Sequence, residues 1–308
     1  MTRKIPEDYR CKVRKPADFD QFWDGVLAEA ARIPLNAETV SDPLRTSDDI
    51  ETFQVFYDSL DGVRVAAWYC VPRNRTGRLP AVLFLPGYQS DPPIPKEWAR
   101  RGYAAITAAP RGKLRSNRQF NPGYPNLLTH NIIDRNTYSY RGFYVDAWRA
   151  VDYLLSRDEV DGGRIGVAGS SQGGGLAITT AAMRQEVAVV SAGAPYLCGY
   201  MDAIELEVSY PYEEINDYLR MHPEHGAEVE DTLAYFDGIS FADRISCPTI
   251  VNIGLQDNVC PPETGYAVFN AIGSPDKKLY AYDGHGHEAG RYKHTAVITD
   301  FFAEHLKP

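Results

Sequence analysis

Long apolar runs, cysteine pairs and an excess of basic residues are all missing from this sequence. The 5 cysteines among 308 residues are scattered and never form a CxxC pair, which favours free thiols in a reducing compartment. No apolar stretch approaches the roughly 20 residues of a membrane span, and the opening MTRKIPEDYR lacks the apolar run of a secretory signal. The formal net charge of −9 argues against nucleic acid, whose phosphates repel an acidic protein. We therefore expect a cytoplasmic protein that binds neither membrane nor nucleic acid.

What is present is the composition of an ordinary globular protein, with 44% hydrophobic and 24% charged residues. A chain of 308 residues buries a substantial core without disulfide or metal staples. The sequence contains no internal repeat and no long Gly/Ser linker. We expect residues 1–308 to form a single domain.

Apolar, strand-like runs alternate with amphipathic, helix-like segments along most of the chain. Residues 18–33 predict an N-terminal helix, because Phe19, Trp23 and Val26 fall on one stripe. Strands are predicted at 52–58 and 63–71, joined by a turn at 59–62, and at 81–85, 103–109, 164–168, 187–191, 249–254 and 278–282. Further helices are predicted at 141–157, after Gly173, at 263–271 and at 293–306. This alternation predicts an α/β fold with a mostly parallel central sheet and helices on both faces.

Residues 200–235 break the alternation, since they are polar, aromatic and helix-like. We interpret them as an insertion of short helices over the sheet edge. Loops at the carboxyl ends of parallel strands build the site in such sheets, so the insertion would help to wall a pocket. An oligomer contact or a simple surface excursion explains the segment equally well.

A candidate nucleophile lies where a strand passes into a helix. Ser171 is flanked by Gly169 and Gly173 in a GxSxG pattern, preceded by a predicted strand and followed by a helix of small residues. A sharp bend there would expose the serine, and the two glycines would remove Cβ atoms that clash across it. Such an elbow is typical of the α/β-hydrolase fold. Ser170 is the alternative nucleophile, and a glycine-rich turn with an incidental serine is the non-catalytic interpretation.

A serine hydroxyl needs a base and an acid to become a nucleophile, and in this fold they follow it in the order acid, then histidine. Asp257 comes directly after a predicted strand and is the candidate acid, although an aspartate at such a junction also caps helices. His287 lies in a glycine-rich loop after the last predicted strand and is the candidate base. His285 is its competitor.

The same loop permits a metal-binding interpretation. Asp283, His285, His287 and Glu288 are all potential ligands, but no complementary ligand motif appears elsewhere in the sequence. A serine elbow needs no metal, so we expect no cofactor.

Two backbone N–H groups should stabilise the tetrahedral intermediate. The first candidate is the amide of Gln172, directly after the nucleophile. The second is the amide of Tyr88, in the loop after the strand 81–85, where an ordinary strand-end turn is the alternative.

These motifs together resemble carbohydrate esterase family seven, the acetyl xylan esterase and cephalosporin-C deacetylase group. The likeness extends from about residue 18 to the end of the chain. It rests on the elbow GSSQGGG at 169–175, the acid loop DNVCPP at 257–262 and the pair His287-Glu288, with a weaker YFD match at 235–237. The His-Glu pair favours His287 over His285 as the base and gives Glu288 a supporting role.

The resemblance implies a serine esterase that hydrolyses small acyl groups, mainly acetyl, from a small-molecule ester without a cofactor. It also implies a cytoplasmic homo-oligomer, a hexamer built as a trimer of dimers. One departure stands out, because the family's RGQ motif is Arg111-Gly112-Lys113 here. We expect Arg111 to hold neighbouring loop carbonyls rather than to bind substrate.

Two rivals remain at this point. The same triad would also hydrolyse larger acyl esters, lactones or amides. A catalytically silent α/β-hydrolase that only binds ligands would share the fold, since one scaffold hosts many functions.

Overall fold

A computed structural model describes residues 5–308 of the chain, apart from the side chain of Leu114. Residues 1–4 lie outside this description, and with them the start of the opening segment that was predicted not to be a secretory signal. The strands are β1 (Glu38–Ser41), β2 (Ile50–Asp58), β3 (Arg64–Pro72), β4 (Leu79–Leu85), β5 (Ala104–Ala109), β6 (Val160–Ser170), β7 (Val187–Gly193), β8 (Thr249–Gly254) and β9 (Lys277–Tyr282). The helices are α1 (Phe19–Ala31), α2 (Lys96–Arg100), α3 (Ser139–Leu155), α4 (Gln172–Met183), α5 (Tyr200–Leu206), α6 (Glu213–Met221), α7 (Gly226–Phe236), α8 (Gly238–Ala242), α9 (Pro262–Ala271) and α10 (Arg291–Leu306).

All the strands of the described chain join one sheet in the order β1-β2-β3-β5-β4-β6-β7-β8-β9. The pairings from β1 to β5 are antiparallel, and those from β5 through β4 to β9 are parallel. The predicted mostly parallel sheet is therefore confirmed. The predicted hairpin also forms, because Asp61 and Gly62 take the positive φ angles of 60° and 70° that the tight turn between β2 and β3 requires.

Helices cover both faces of this sheet, as the apolar pattern of its strands demands. Side chains alternate along a strand, so neighbouring residues of β4 enter different cores. Leu83 packs in the large core beneath α3 and α4, whereas Val82 packs against Phe302 of α10. The inner strands are buried on both sides, which explains why polar and apolar residues do not alternate along them.

The predicted insertion is helical and consists of α5, α6 and α7. The N-terminal helix supports it, because the Trp23 indole donates a 2.8 Å hydrogen bond to the carbonyl of Tyr235. Because this bond joins residues 212 positions apart, the two predicted helical segments stabilise each other through tertiary packing.

The sequence did not predict β1, α2 or α8. Strand β1 is almost wholly exposed and is held by its ladder with β2 rather than by apolar contacts, so no hydrophobic pattern marks it. Helices α2 and α8 have five residues each, too short to show a helical period. Among residues 5–308, no helix has the length and apolar content needed to cross a bilayer.

Candidate active site

The bend between β6 and α4 carries Ser171 in a conformation that few residues adopt. Its φ of 59° and ψ of −123° place it outside the allowed regions for a side chain with a Cβ. A Cβ on Gly169 would lie 2.3 Å from the carbonyl of Gly173, and one on Gly173 would lie 2.0 Å from the oxygen of Leu85. Both glycines are therefore required for the close contact of helix and strands that forms the bend.

Asp257 and His287 meet at the carboxyl ends of β8 and β9. The buried Asp257 accepts hydrogen bonds through Oδ1 from the amides of Val259, at 2.8 Å, and Cys260, at 2.9 Å. Its other oxygen, Oδ2, lies 2.9 Å from Nδ1 of His287. A carboxylate held by two amides fixes the imidazole with its proton on Nδ1, and the far nitrogen is left to act as a base.

A shared cavity and a common neighbour link Ser171 to this pair. Ser171 and His287 both line one cavity of about 1180 Å³. The thiol of Cys260 adjoins the pair, since one ligand atom from each of Asp257, Cys260 and His287 falls within 4.8 Å of the others. Burial raises the pKa of Cys260 well above its usual value, and the Ser171 hydroxyl lowers it in part through a hydrogen bond. Cys260 is thus a neutral thiol beside the triad candidates, a neighbour that sequence reasoning missed.

The two candidate oxyanion donors lie beside the bend. A Cβ on Gly87 would lie 4.0 Å from the Cβ of Ser171, so the loop after β4 directly adjoins the serine. Within residues 5–308, the amides of Tyr88 and Gln172 have no hydrogen-bond acceptor. Two unpaired N–H groups next to a serine are the requirement for stabilising a tetrahedral oxyanion.

The tyrosine of that loop is anchored to the insertion. The hydroxyl of Tyr88 donates a 2.8 Å hydrogen bond to Oε1 of Glu214 on α6 and accepts one of 3.1 Å from the amide of Leu128. Burial raises the pKa of Glu214 to about 7, although hydrogen bonds from Tyr88 and nearby amides oppose the rise. Glu214 was not predicted, because nothing in the local sequence links it to the loop.

A lysine holds the backbone of the same loop. Nζ of Lys113 donates to the carbonyl of Gly87 at 2.5 Å and to the carbonyl of Tyr88. Lys113 is 5% exposed, and burial lowers its pKa to about 7, an effect that Asp91 opposes. The sequence singled out this lysine only as a departure from a family motif.

Arg111 lies in the turn that carries Lys113 and is almost fully buried. Its guanidinium bonds both oxygens of Asp146, at 2.9 and 3.0 Å, the carboxylate of Asp61 at 2.7 Å and the carbonyl of Leu60 at 2.9 Å. These contacts are to the protein scaffold and lie away from the residues that line the cavity. The position of Arg111 is that of a structural anchor.

The competing histidine lies in a different environment. Nδ1 of His285 lies 3.1 Å from Oε1 of Glu288. Nε of Arg291 lies 3.7 Å from the same oxygen. Ligand atoms of Asp283, His285, His287 and Glu288 do not gather within 4.8 Å in the described chain, where the two such groups are Asp257-Cys260-His287 and His222-Glu224-His225. The predicted alternative metal set therefore has no common centre.

Several parts of the fold wall the cavity. Tyr210 and Pro211 enter it from the insertion, which supports the interpretation of that segment as a pocket wall. Further walls are the loop after β4, helix α2, the carboxyl ends of β6 and β7, and the start of α10. Ser170 also lines the cavity, but it is the last residue of β6 and does not occupy the bend.

Comparisons with known proteins identify one family. Residues 4–305 match the family model described as acetyl xylan esterase (AXE1). The acetyl esterase Axe7A of Xylanibacter ruminicola is 30% identical over 292 residues, which are 89% of this chain and 64% of that relative, so the chain spans less than two thirds of it.

Solved structures give the same result. The acetyl xylan esterase from Paenibacillus sp. R4 has a TM-score of 0.91 and 35% identity, covering 97% of this chain and 98% of that one. Acetyl xylan esterase 1 from Thermoanaerobacterium sp. JW/SL YS485 has a TM-score of 0.88 and 29% identity, covering 97% and 96%.

Proposed function

This chain belongs to the acetyl xylan esterase family, and on that premise we propose that it is a serine esterase that removes acetyl groups from acetylated sugars. The observation that carries the proposal is the hydrogen bond of 2.9 Å between Asp257 and His287, at the wall of a cavity that Ser171 also lines. The names of the relatives support acetyl esters of xylan as the substrate class.

In the proposed cycle, Ser171 acts as nucleophile, and Asp257 and His287 act as its acid and base partners. His287 takes the proton of Ser171 through Nε2, and the serine oxygen attacks the ester carbonyl. The amides of Tyr88 and Gln172 stabilise the oxyanion. The alcohol leaves with the proton from His287, and water then repeats these steps on the acetyl-enzyme.

A hydrolase for larger acyl groups is the second candidate, and the cavity volume favours it. A volume of about 1180 Å³ is far more than one acetyl group needs. We assign the excess volume to the sugar part of the substrate. We also propose deacetylation of cephalosporin C as a further reaction of the same kind.

A chain-length series of nitrophenyl esters separates the two candidates. Acetyl specificity predicts that kcat/KM falls steeply beyond acetyl or propionyl, whereas an equal or rising rate for butyryl and longer esters supports the second candidate. The Ser171→Ala variant is the control and should lose about 10⁴- to 10⁶-fold in kcat while its melting temperature stays close to that of the wild type.

We also propose a cytoplasmic location and a homo-oligomer, for which the family resemblance implies a hexamer. Free thiols support the first, since all five cysteines are unpaired in the described chain. Light scattering coupled to size exclusion would test the second, and a monomeric mass would overturn it.

A further inference from the structure

We propose that Lys113 is a positioning residue that holds and polarises the peptide unit whose N–H group serves as the Tyr88 oxyanion donor. The inference rests on the proposed serine esterase function. It concerns a position where this chain departs from the glutamine of the family motif it resembles.

Lys113 contacts the peptide unit that joins Gly87 to Tyr88. The carbonyl of Gly87 and the N–H of Tyr88 belong to the same planar peptide group. Nζ of Lys113 donates to that carbonyl at 2.5 Å and also bonds the next carbonyl, that of Tyr88. One ammonium group therefore holds the peptide unit that contains the N–H of Tyr88.

Polarisation follows from the same contact. A donor at the carbonyl oxygen draws electron density along the peptide group and strengthens its N–H as a donor, an effect of roughly 10–30% per bond in hydrogen-bonded chains. A charged donor acts more strongly than a neutral one. The positive charge of Lys113 lies 2.5 Å from the carbonyl oxygen of this peptide unit, at a buried position where screening by water is weak.

Lys113 has a rigid base from which to act. Its amide donates to the carbonyl of Pro110 at 3.2 Å, and its carbonyl accepts from the amide of Ser116 at 2.8 Å. The hydroxyl of Ser116 in turn bonds the amide of Ala66 on β3 at 2.8 Å. Because Arg111 is also anchored, this turn holds the loop after β4 in a fixed position relative to the sheet.

The charge of Lys113 is not neutralised by a close partner. No carboxylate of the described residues lies within 4.0 Å of Nζ, and Asp91 on the loop after β4 is the acidic group that acts on it. The other nearby charges are engaged elsewhere, because Arg111 bonds Asp146 and Glu214 bonds the Tyr88 hydroxyl. With a pKa of about 7, Lys113 carries its charge at acidic pH and loses it as the pH rises through neutrality.

The chain offers a matched control in Lys277. Its Nζ also donates to backbone carbonyls, those of Phe269 at 3.0 Å and Ile272 at 2.7 Å, and burial lowers its pKa as well. Lys277 begins β9 and does not line the cavity. A lysine that only stabilises a loop should behave like Lys277.

The test measures kcat and KM for an acetyl ester from about pH 5 to 9 in the wild type and in Lys113→Met, Lys113→Gln and Lys277→Met, together with their melting temperatures. We expect Lys113→Met to lower kcat about 10- to 100-fold with KM nearly unchanged, less than the loss of a whole oxyanion donor. Lys113→Gln restores neutral hydrogen bonds, so it should recover much of this kcat.

A purely structural role for Lys113 would leave the pH profile unchanged, so the pH profiles distinguish the two roles. Wild-type kcat should decline as the pH rises through about 7, and Lys113→Gln should lack this decline while keeping the acidic limb on which the base is protonated. Lys277→Met should keep the wild-type profile. If both Lys113 variants keep the wild-type kcat and profile, the inference is wrong. A wild type with no activity on acetyl esters would instead refute the proposed function.

Discussion

The bend that carries Ser171 and the loop after β4 that carries Tyr88 follow neighbouring strands of the sheet, but the fold holds them by different means. Backbone packing fixes the bend, because Gly169 and Gly173 lack the Cβ atoms that would clash with the neighbouring backbone. The loop is fixed by side chains that come from distant parts of the chain. Lys113 bonds its carbonyls, and Glu214 bonds the hydroxyl of Tyr88.

This difference separates a rigid element from an adjustable one. The steric fit of the bend contains no ionisable group, so we expect the position of Ser171 not to depend on pH. The loop depends on two buried groups, Lys113 and Glu214, whose pKa values burial shifts to about 7. We therefore expect the geometry of the loop to depend on pH near neutrality.

The largest expected effect comes from a substitution that disrupts the bend. Gly173→Ala would place a Cβ 2.0 Å from the carbonyl oxygen of Leu85, which must move β4 or α4. We expect the free energy of unfolding to fall by more than about 4 kcal/mol, measured by urea denaturation. Gly25→Ala is the control, because its Cβ meets nothing within 4 Å and should stabilise α1 by about 0.5–1 kcal/mol. A Gly173→Ala protein as stable as the wild type would contradict the steric account.

The second effect removes the anchor of the turn that carries Lys113. Arg111→Met leaves the fully buried carboxylate of Asp146 without its partner, and we expect a loss of about 3–5 kcal/mol in the free energy of unfolding. The control is Arg220→Met, whose exposed pairs with Glu213 and Asp217 should be worth no more than about 1 kcal/mol. Equal losses in the two variants would show that Arg111 is not an anchor.

The smallest effect concerns the contact between the loop and the insertion. Because the folded-state pKa of Glu214 is raised from 4.5 to about 7, folding favours its protonated form. Its contribution to stability is present below pH 4.5 and is lost as the pH rises through 7. We expect Glu214→Gln to remove this loss, so the melting temperature of the variant minus that of the wild type should be larger at pH 8 than at pH 4.5, by at most about 2 °C for each kcal/mol.

Glu213→Gln controls for that experiment on the same helix. Its pKa is lowered by hydrogen bonds from Asn216 and Arg220, so the carboxylate stabilises the fold at neutral pH. Removing it should lower the melting temperature at pH 8. If the two variants change in the same direction, the burial of Glu214 does not control the loop.

The same comparison explains what could be predicted from the sequence. The bend is local, since the strand, the two glycines and the small-residue helix lie in one continuous segment. Asp257 and His287 are more distant from it, but each follows a strand, and parallel strands bring their carboxyl ends to one edge. The region of each candidate therefore followed from the pattern of strands, whereas the choice of His287 over His285 rested on the resemblance to the family.

The loop could not be predicted in this way. The bond between Tyr88 and Glu214 joins residues 126 positions apart, and no period or motif encodes such a pair. The bond from Lys113 to Gly87 spans 26 positions and depends on a buried turn whose sequence departs from the family pattern. Side-chain contacts of this kind appear only when the tertiary structure is known.

The central claim is that Ser171 is the activated nucleophile of the Asp257-His287 pair. Peptide mass mapping after reaction with a fluorophosphonate probe tests it most directly, in the wild type and in His287→Ala. The account predicts a single adduct on Ser171 in the wild type and a strongly reduced labelling rate in the variant. An adduct on Ser170, or labelling of Ser171 at the same rate without His287, would contradict it.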